Sequence, residues 1–399
     1  ATALTTMTEP LFFDLSASSW DDTEIDAIEE VIASDRFTMG ACVAKFEIAF
    51  ASYFGTRFAV MVNSGSSANL ISVASLFYKQ EKPLLRGDEA IVPAIAWATT
   101  YHPLQQYGLK MRVVDVELET LNVDVSQLEE ALTPRTRLLV GVSILGNPAA
   151  LNTLRDFADR HDLVFMEDNC ESADAELGKQ KTGTFGDINT FSFFFSHHIS
   201  TMEGGMVLTD DEELYHLLLA MRAHGWTRDI PRPSPLFEPK NNEFKESYRF
   251  ILPGYNVRPT EFSGAIGLRQ LQKLPGMTMA RRKNLALFKK LFAGDERFIV
   301  PRENGVSSSF SFPVILNPAF GFDRNKVFSA LGEASIGFRM ITGGNIMRHD
   351  VVKYYDIEAV GELTNANIAH NYGFFVGNHP RDLTPQINRF RQVMDETCR

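Results

Sequence analysis

Two textures of apolar residues alternate along the chain. Five short, nearly unbroken apolar runs, "FAVMV" (58–62), "EAIVP" (89–93), "MRVVDV" (111–116), "RLLVGV" (137–142) and "LVFMED" (163–168), are separated by longer stretches of mixed polarity. Runs of this length predict buried strands, and each gap is long enough for a helix. Strands spaced by helices make βαβ units, so the expected fold class is α/β, a large domain with a mostly parallel mixed sheet flanked by helices. Ligands in such sheets bind beyond the carboxyl ends of the strands. From about Gly254 the texture changes: "TEFSGAIGLRQLQKL" and "MARRKNLALFKKLF" read as long helical patterns, and mixed strands and helices follow. The expected division is an N-terminal segment and large domain over 1–265 and a smaller C-terminal α+β domain over 266–399. The proline-rich "RDIPRPSPLFEPKNNEFKES" (228–247) reads as a long loop excursion.

Composition narrows the class of partner. No apolar run reaches the roughly 20 residues of a membrane span, and the opening "ATALTTMTEPLFFDL" lacks the basic-then-apolar order of a signal peptide. A cytoplasmic location is expected, with Ala1 to Thr6 read as a leader or expression remnant. The formal charge of −11 comes from 50 acidic against 39 basic residues with no basic block. That argues against nucleic acid and anionic membranes, while a local cationic pocket for a phosphate ligand stays open. Cys42, Cys170 and Cys398 lie far apart, so the chain offers no disulfide framework and no cysteine set for zinc or an iron–sulfur cluster.

The strand ends carry the candidate chemistry. After "FAVMV" comes "NSGSSANL", where Gly65 and Ser66 open a helix whose free N–H groups can seat an anion or simply be capped. After "EAIVP", Trp97 stands near the same edge, as a stacking plate or as core. Asp168 directly ends a very apolar strand, where a carboxylate requires a cation, a cap or a protonated heteroaromatic nitrogen. Glu171 follows three residues on, and Ser192 lies five residues before His197 in "SFFFSHHISTMEGG".

In this order the residues resemble the pyridoxal-phosphate (PLP) enzymes of fold type I, the aspartate aminotransferase superfamily, and within it the DegT/DnrJ/EryC1-type sugar aminotransferase and dehydratase family. The resemblance runs through "VPAIAWATTYHPLQQYG", "LNVDVSQLEEALTPRTR", "EDNCESADAELGKQKTGTFGDINTFSFFFSHHISTMEGG", "GYNVRPTEFSGAIGLRQL" and "GFFVGNHP". It implies that Gly65, Ser66 and Ser192 bind the cofactor phosphate, that Trp97 lies against the pyridine ring, and that Asp168 pairs with its protonated nitrogen. It places Glu171 near the ring. Asn256 resembles a residue that reaches the phosphate across a dimer interface, implying a homodimer with shared sites.

The departure falls at position 197. The aminotransferase pattern has a lysine there, which holds the cofactor covalently; this chain has histidine, and no lysine lies between Lys181 and Lys240. Imidazole forms no stable imine, so PLP or its amine form, pyridoxamine phosphate (PMP), is expected to bind non-covalently, with His197 as a general base. The substitution resembles a narrower group, the sugar 3-dehydratases, which remove the C3 hydroxyl of nucleotide-linked 4-keto-6-deoxyhexoses. One kind carries an iron–sulfur centre; "HGWTRDIPRPSPLFEPKNNEFKES" has no cysteine for it. The implied kind works without the cluster, with L-glutamate as co-substrate and GDP-4-keto-6-deoxy-D-mannose, of colitose-type O-antigen synthesis, as the expected sugar. His224 resembles a residue that enters from the neighbouring subunit and assists catalysis; Arg258 is a candidate for binding glutamate or substrate. His198 is expected to be structural, with no metal site. Two alternatives stand beside this reading: a nucleotide-sugar aminotransferase using histidine for lysine, and a non-catalytic PLP-binding protein.

Overall fold

The five apolar runs become strands of a sheet, which satisfies their backbone polar groups while its faces are covered. In the computed structural model, which describes residues 11–399, they belong to one eight-stranded sheet. Its order is Phe58–Val62, Gly205–Thr209, Ile188–Ser192, Val164–Asp168, Thr136–Val142, Glu89–Pro93, Lys110–Val114 and Ile357–Ala359. Within it Gly205–Thr209 runs antiparallel to both of its neighbours, and the other pairings are parallel. The reading of Ala1 to Thr6 falls outside the described residues.

That one reversal shapes the site. Ser192 pairs with Gly205, Val62 pairs with Gly205 from the other side, and Asp168 pairs with Thr190. Three strand ends and one strand start therefore meet at a single sheet edge, and the connection from Ser192 to Gly205, which carries His197, loops over it. Helices cover the sheet, and the largest core cluster combines strand residues such as Val60, Val92 and Val140 with Ile71, Leu104 and Leu217 of the covering helices.

The two helical patterns beyond Gly254 form one continuous helix, Glu261–Phe292, with Pro275 inside it. Proline removes one intrahelical hydrogen bond and normally kinks or breaks a helix. Here Pro275 and Gly276 face solvent, while Leu271, Leu274, Met277 and Thr278 stay buried, so the apolar stripe passes the proline uninterrupted. The helix continues onto a four-stranded antiparallel sheet ordered Phe298–Ile299, Ser311–Leu316, Gly373–Gly377 and Phe338–Arg339. Phe288, Phe312, Phe374 and Phe390 fill the space between, with Phe288 stacked on Phe312 at 4.6 Å. The excursion over 228–247 holds one short helix, Glu243–Glu246, and is tied at its root by Thr227 N–H donating to the Arg249 carbonyl at 3.0 Å.

Candidate active site

The helix Gly65–Leu76 begins where strand Phe58–Val62 ends. Ser64 caps it, its hydroxyl accepting the Ser67 N–H at 3.0 Å. The N–H groups of Gly65 and Ser66 precede any intrahelical acceptor and point out of the helix start, where the helix dipole also favours an anion. Backbone from the facing strand comes close here: a Cβ on Gly65 would stand 2.5 Å from Ser192 Cβ, and one on Gly205 would stand 2.4 Å from the Ser64 carbonyl oxygen. Only glycine permits this cradle, in which the helix start and Ser192 share one small volume. The Ser66 hydroxyl donates to Thr99 Oγ1 at 3.0 Å, linking the seat to the helix Ala98–Gln106 capped by Trp97. Trp97 is 59 % exposed, unlike a core tryptophan, so its indole is available to a ligand at this sheet edge.

Asp168 is 4 % exposed and has no cationic side chain within ion-pair distance among the described residues. Its Oδ2 accepts from Asn69 Nδ2 at 2.9 Å and Thr100 Oγ1 at 2.8 Å, and its Oδ1 accepts from the Cys170 N–H at 3.1 Å. Asn69 is held in turn by the Thr190 hydroxyl at 2.7 Å. A buried carboxylate fixed by neutral donors and lacking a counter-ion fits a ligand that brings its own positive charge. With the glycine cradle, this is the polarity PLP requires: an anion seat at one end and a partner for a protonated ring nitrogen at the other.

His197 lies in the loop between these parts, half-buried, its Nδ1 2.7 Å from the Cys170 carbonyl. A carbonyl only accepts, so Nδ1 carries the proton and Nε2 of the neutral ring keeps its lone pair. Burial pushes the His197 pKa down to about 4, against the Cys170 hydrogen bond, which raises it. The ring is neutral at physiological pH, with the proton-accepting nitrogen unspent. His198, only 2 % exposed, packs the other way, with Nε2 3.2 Å from the Ser308 carbonyl and its pKa lowered by burial.

Glu171 is half-buried and serves as a clasp. Its Oε2 accepts from the Leu145 N–H at 2.9 Å and the Thr342 hydroxyl at 3.1 Å, joining loops from two distant parts of the chain. Burial pushes its pKa up to about 7. Leu145 and Thr342 both hold left-handed backbone, φ 51° and 40°, a costly conformation for bulky residues.

The remaining candidates gather elsewhere, on the rim. His224 follows the helix Glu212–Arg222 at φ 63° and is exposed; its N–H donates to the Tyr255 carbonyl at 2.6 Å. Asn256 is exposed too, its Oδ1 accepting from Arg258 Nε at 3.0 Å. Next to Asn256 the Val257 carbonyl accepts the Asn63 N–H at 3.0 Å, so the rim segment hangs on the chain two residues before Gly65. No hydrogen bond or ring contact joins these three side chains to Asp168, Ser192 or His197 among the described residues. Sequence reasoning did not find Asn69, Thr100 or Thr342. Asn69 left a faint signal, an amide one turn beyond Gly65 on a helix of small and apolar residues.

This arrangement is that of a fold type I PLP enzyme. The sequence profile of the DegT/DnrJ/EryC1/StrS aminotransferase family matches residues 18–389, and the chain belongs to that family. Among its relatives, GDP-4-keto-6-deoxy-D-mannose 3-dehydratase of Yersinia pseudotuberculosis is 47 % identical over 384 residues, covering 96 % of this chain and 98 % of the relative. The structure of the E. coli GDP-4-keto-6-deoxy-D-mannose-3-dehydratase with bound hydrated PLP superposes with a TM-score of 0.94 at 45 % identity, covering 96 % of this chain and 100 % of the other. A further structure of such a dehydratase, with a trapped PLP–glutamate geminal diamine, gives a TM-score of 0.94 at 45 % identity over 96 % of this chain and 99 % of the other.

Proposed function

We propose that this chain is a PLP-dependent nucleotide-sugar 3-dehydratase that removes the C3 hydroxyl of GDP-4-keto-6-deoxy-D-mannose with L-glutamate as reductant. The observation that carries this reading is His197, placed where the family holds its lysine, with Nδ1 committed to a backbone carbonyl and Nε2 free. The balance is simple. Glutamate loses two electrons and its amino group, leaving 2-oxoglutarate and ammonia, and the sugar gains two electrons as C3–OH becomes CH2. No external electron donor is required.

When bound, PLP or PMP supplies an electron sink conjugated to the reacting carbon. The chain supplies the rest. The Gly65 and Ser66 N–H groups and the Ser192 hydroxyl would hold the phosphate, Asp168 would pair with the ring nitrogen, and Trp97 would lie against the ring. His197 Nε2 takes the α-proton of glutamate in one half of the cycle and a proton that drives loss of the C3 hydroxyl in the other. Because imidazole cannot tether the cofactor, it also cannot displace a product amine, and the amine leaves by hydrolysis. Glu171 clasps the loops that border the ring.

The working unit in this reading is a homodimer. His224 and Asn256, exposed, and Arg258, half-buried, stand beside the seat but make no side-chain contact with it in their own chain, the placement expected of residues that complete a partner's site: His224 for proton transfer, Asn256 for the phosphate, Arg258 for a substrate carboxylate or phosphate. No helix among the described residues is long and apolar enough to cross a membrane. The test is an assay with PLP, glutamate and a panel of nucleotide-linked 4-keto-6-deoxyhexoses, following product mass, 2-oxoglutarate and ammonia together. Equimolar 2-oxoglutarate and ammonia with loss of one sugar oxygen is expected; an amino sugar without ammonia contradicts the proposal.

A further inference from the structure

Arg281 sits on the inner face of the helix Glu261–Phe292, 4 % exposed. Its neighbour Arg282 reaches Glu176 at 3.6 Å, but Arg281 has no carboxylate partner among the described residues. Its Nη1 donates to two backbone carbonyls, of Phe310 at 3.1 Å and of Asn378, and its Nε has no partner. Burying a cation without a counter-ion is costly. Burial lowers its pKa only to about 10, so the charge persists at neutral pH.

The surroundings show where that charge acts. Phe310, whose carbonyl Arg281 holds, lays its ring 5.1 Å from the His197 imidazole and 5.9 Å from that of His198. Asn378, the other anchor, precedes His379. The charge of Arg281 opposes protonation of all three histidines. Other groups face the same space: Asp168 favours a proton on His197, Arg282 disfavours one on His198, and around His379 Arg381 opposes Asp14. Cys170 and Glu171 belong to the loop beneath His197.

We infer that Arg281 is a positioning residue for proton transfer, an uncompensated buried cation that adds to burial in keeping His197 neutral and offsets the pull of Asp168. The inference rests on His197 being the base. A carboxylate near enough to hold a cationic cofactor ring also draws a proton onto a neighbouring imidazole, and an imidazolium accepts nothing. A fixed positive charge behind the base cancels that pull without touching the substrate.

The test compares Arg281→Gln, which keeps a donor for the carbonyls but removes the charge, with Arg281→Lys, which keeps the charge. Protein carrying 13C-labelled histidine is titrated by NMR without and with PLP, the His197 signal being assigned by its absence in His197→Asn. Arg281→Gln is expected to raise the His197 pKa by about one unit and to move the acid limb of kcat/KM equally; Arg281→Lys should leave both near wild type. An unmoved His197 pKa in Arg281→Gln, with or without slower turnover, overturns the inference. Should that variant not fold, Arg281→Met is titrated in its place: a His197 pKa above that of wild type and Arg281→Lys supports the inference, and one equal to theirs overturns it, as does a wild-type value at or above about 6.5, the ordinary value. Failure of the base assignment is visible separately, as full turnover by His197→Asn.

Discussion

The inner seat and the outer rim of the cleft are built by different rules. Inside, Asp168 is fixed by three donors and His197 by a carbonyl, while Gly65, Ser192 and Gly205 meet at backbone distance. At the rim, His224 and Asn256 are exposed, although the adjoining Val257 carbonyl is tied to Asn63 near the seat. The described residues thus fix the inner seat and leave the rim side chains without contact to it. In the dimeric reading proposed above, that difference is the one a half-site should show: a firm scaffold inside, and outer polar groups that do not engage the seat of their own chain.

The sharpest way to break this comparison is subunit mixing. His197→Asn should lower kcat by about 10²- to 10⁴-fold, the usual worth of a general base, while PLP still binds by absorbance. His224→Asn should also lose most of its turnover. Mixed and re-equilibrated, the two variants should recover about a quarter of wild-type activity, because half the dimers then hold one intact site of two. No recovery would confine each site to one chain. Asp168→Asn comes next: losing the buried partner of the ring cation should weaken PLP binding by roughly 3 kcal/mol, read by titration of the cofactor absorbance. Gly65→Ala should weaken it less, by about 1–3 kcal/mol of overpacking, because the new methyl meets Ser192; an unchanged affinity would remove the cradle from the account.

The effect most remote from the site is on stability against pH. His379, buried and tied to the Asp14 carbonyl, has its pKa pushed down to about 4 by burial. As pH falls below the unfolded value near 6.5, the unfolded chain takes up the proton first. The contribution is therefore fully present above that value and declines towards pH 4, by at most about 3 kcal/mol. Urea unfolding of wild type and His379→Gln across this range should converge as the pH drops; parallel curves would contradict a neutral buried ring.

Much of the inner seat was legible in the sequence because its signals are local. Gly65, Asp168 and Ser192 each sit at the end of a short apolar run, and the spacing from Ser192 to His197 is fixed within one loop. What fixes Asp168 was not legible: Asn69 and Thr100 lie 99 and 68 residues away in sequence, and Thr342 lies 171 residues from Glu171. Such partners are chosen by the fold, and no periodicity marks them. The same holds for Ile357–Ala359, a three-residue strand that returns to the large sheet beside Lys110–Val114 without an apolar run of its own. The continuity of the helix through Pro275 was not legible either, since a strong local breaker is tolerated where the lost hydrogen bond faces water.

The central claim is that His197 replaces the tethering lysine as a base that cannot form the tether. Borohydride reduction of the PLP-loaded protein, followed by intact mass measurement and dehydratase assay, tests it in wild type and His197→Lys side by side. The account predicts an unmodified wild-type chain that dehydrates its sugar, and a His197→Lys chain that gains the mass of the reduced cofactor and loses dehydration. A wild-type chain carrying the cofactor covalently, or a His197→Lys chain with full dehydratase activity, would contradict it.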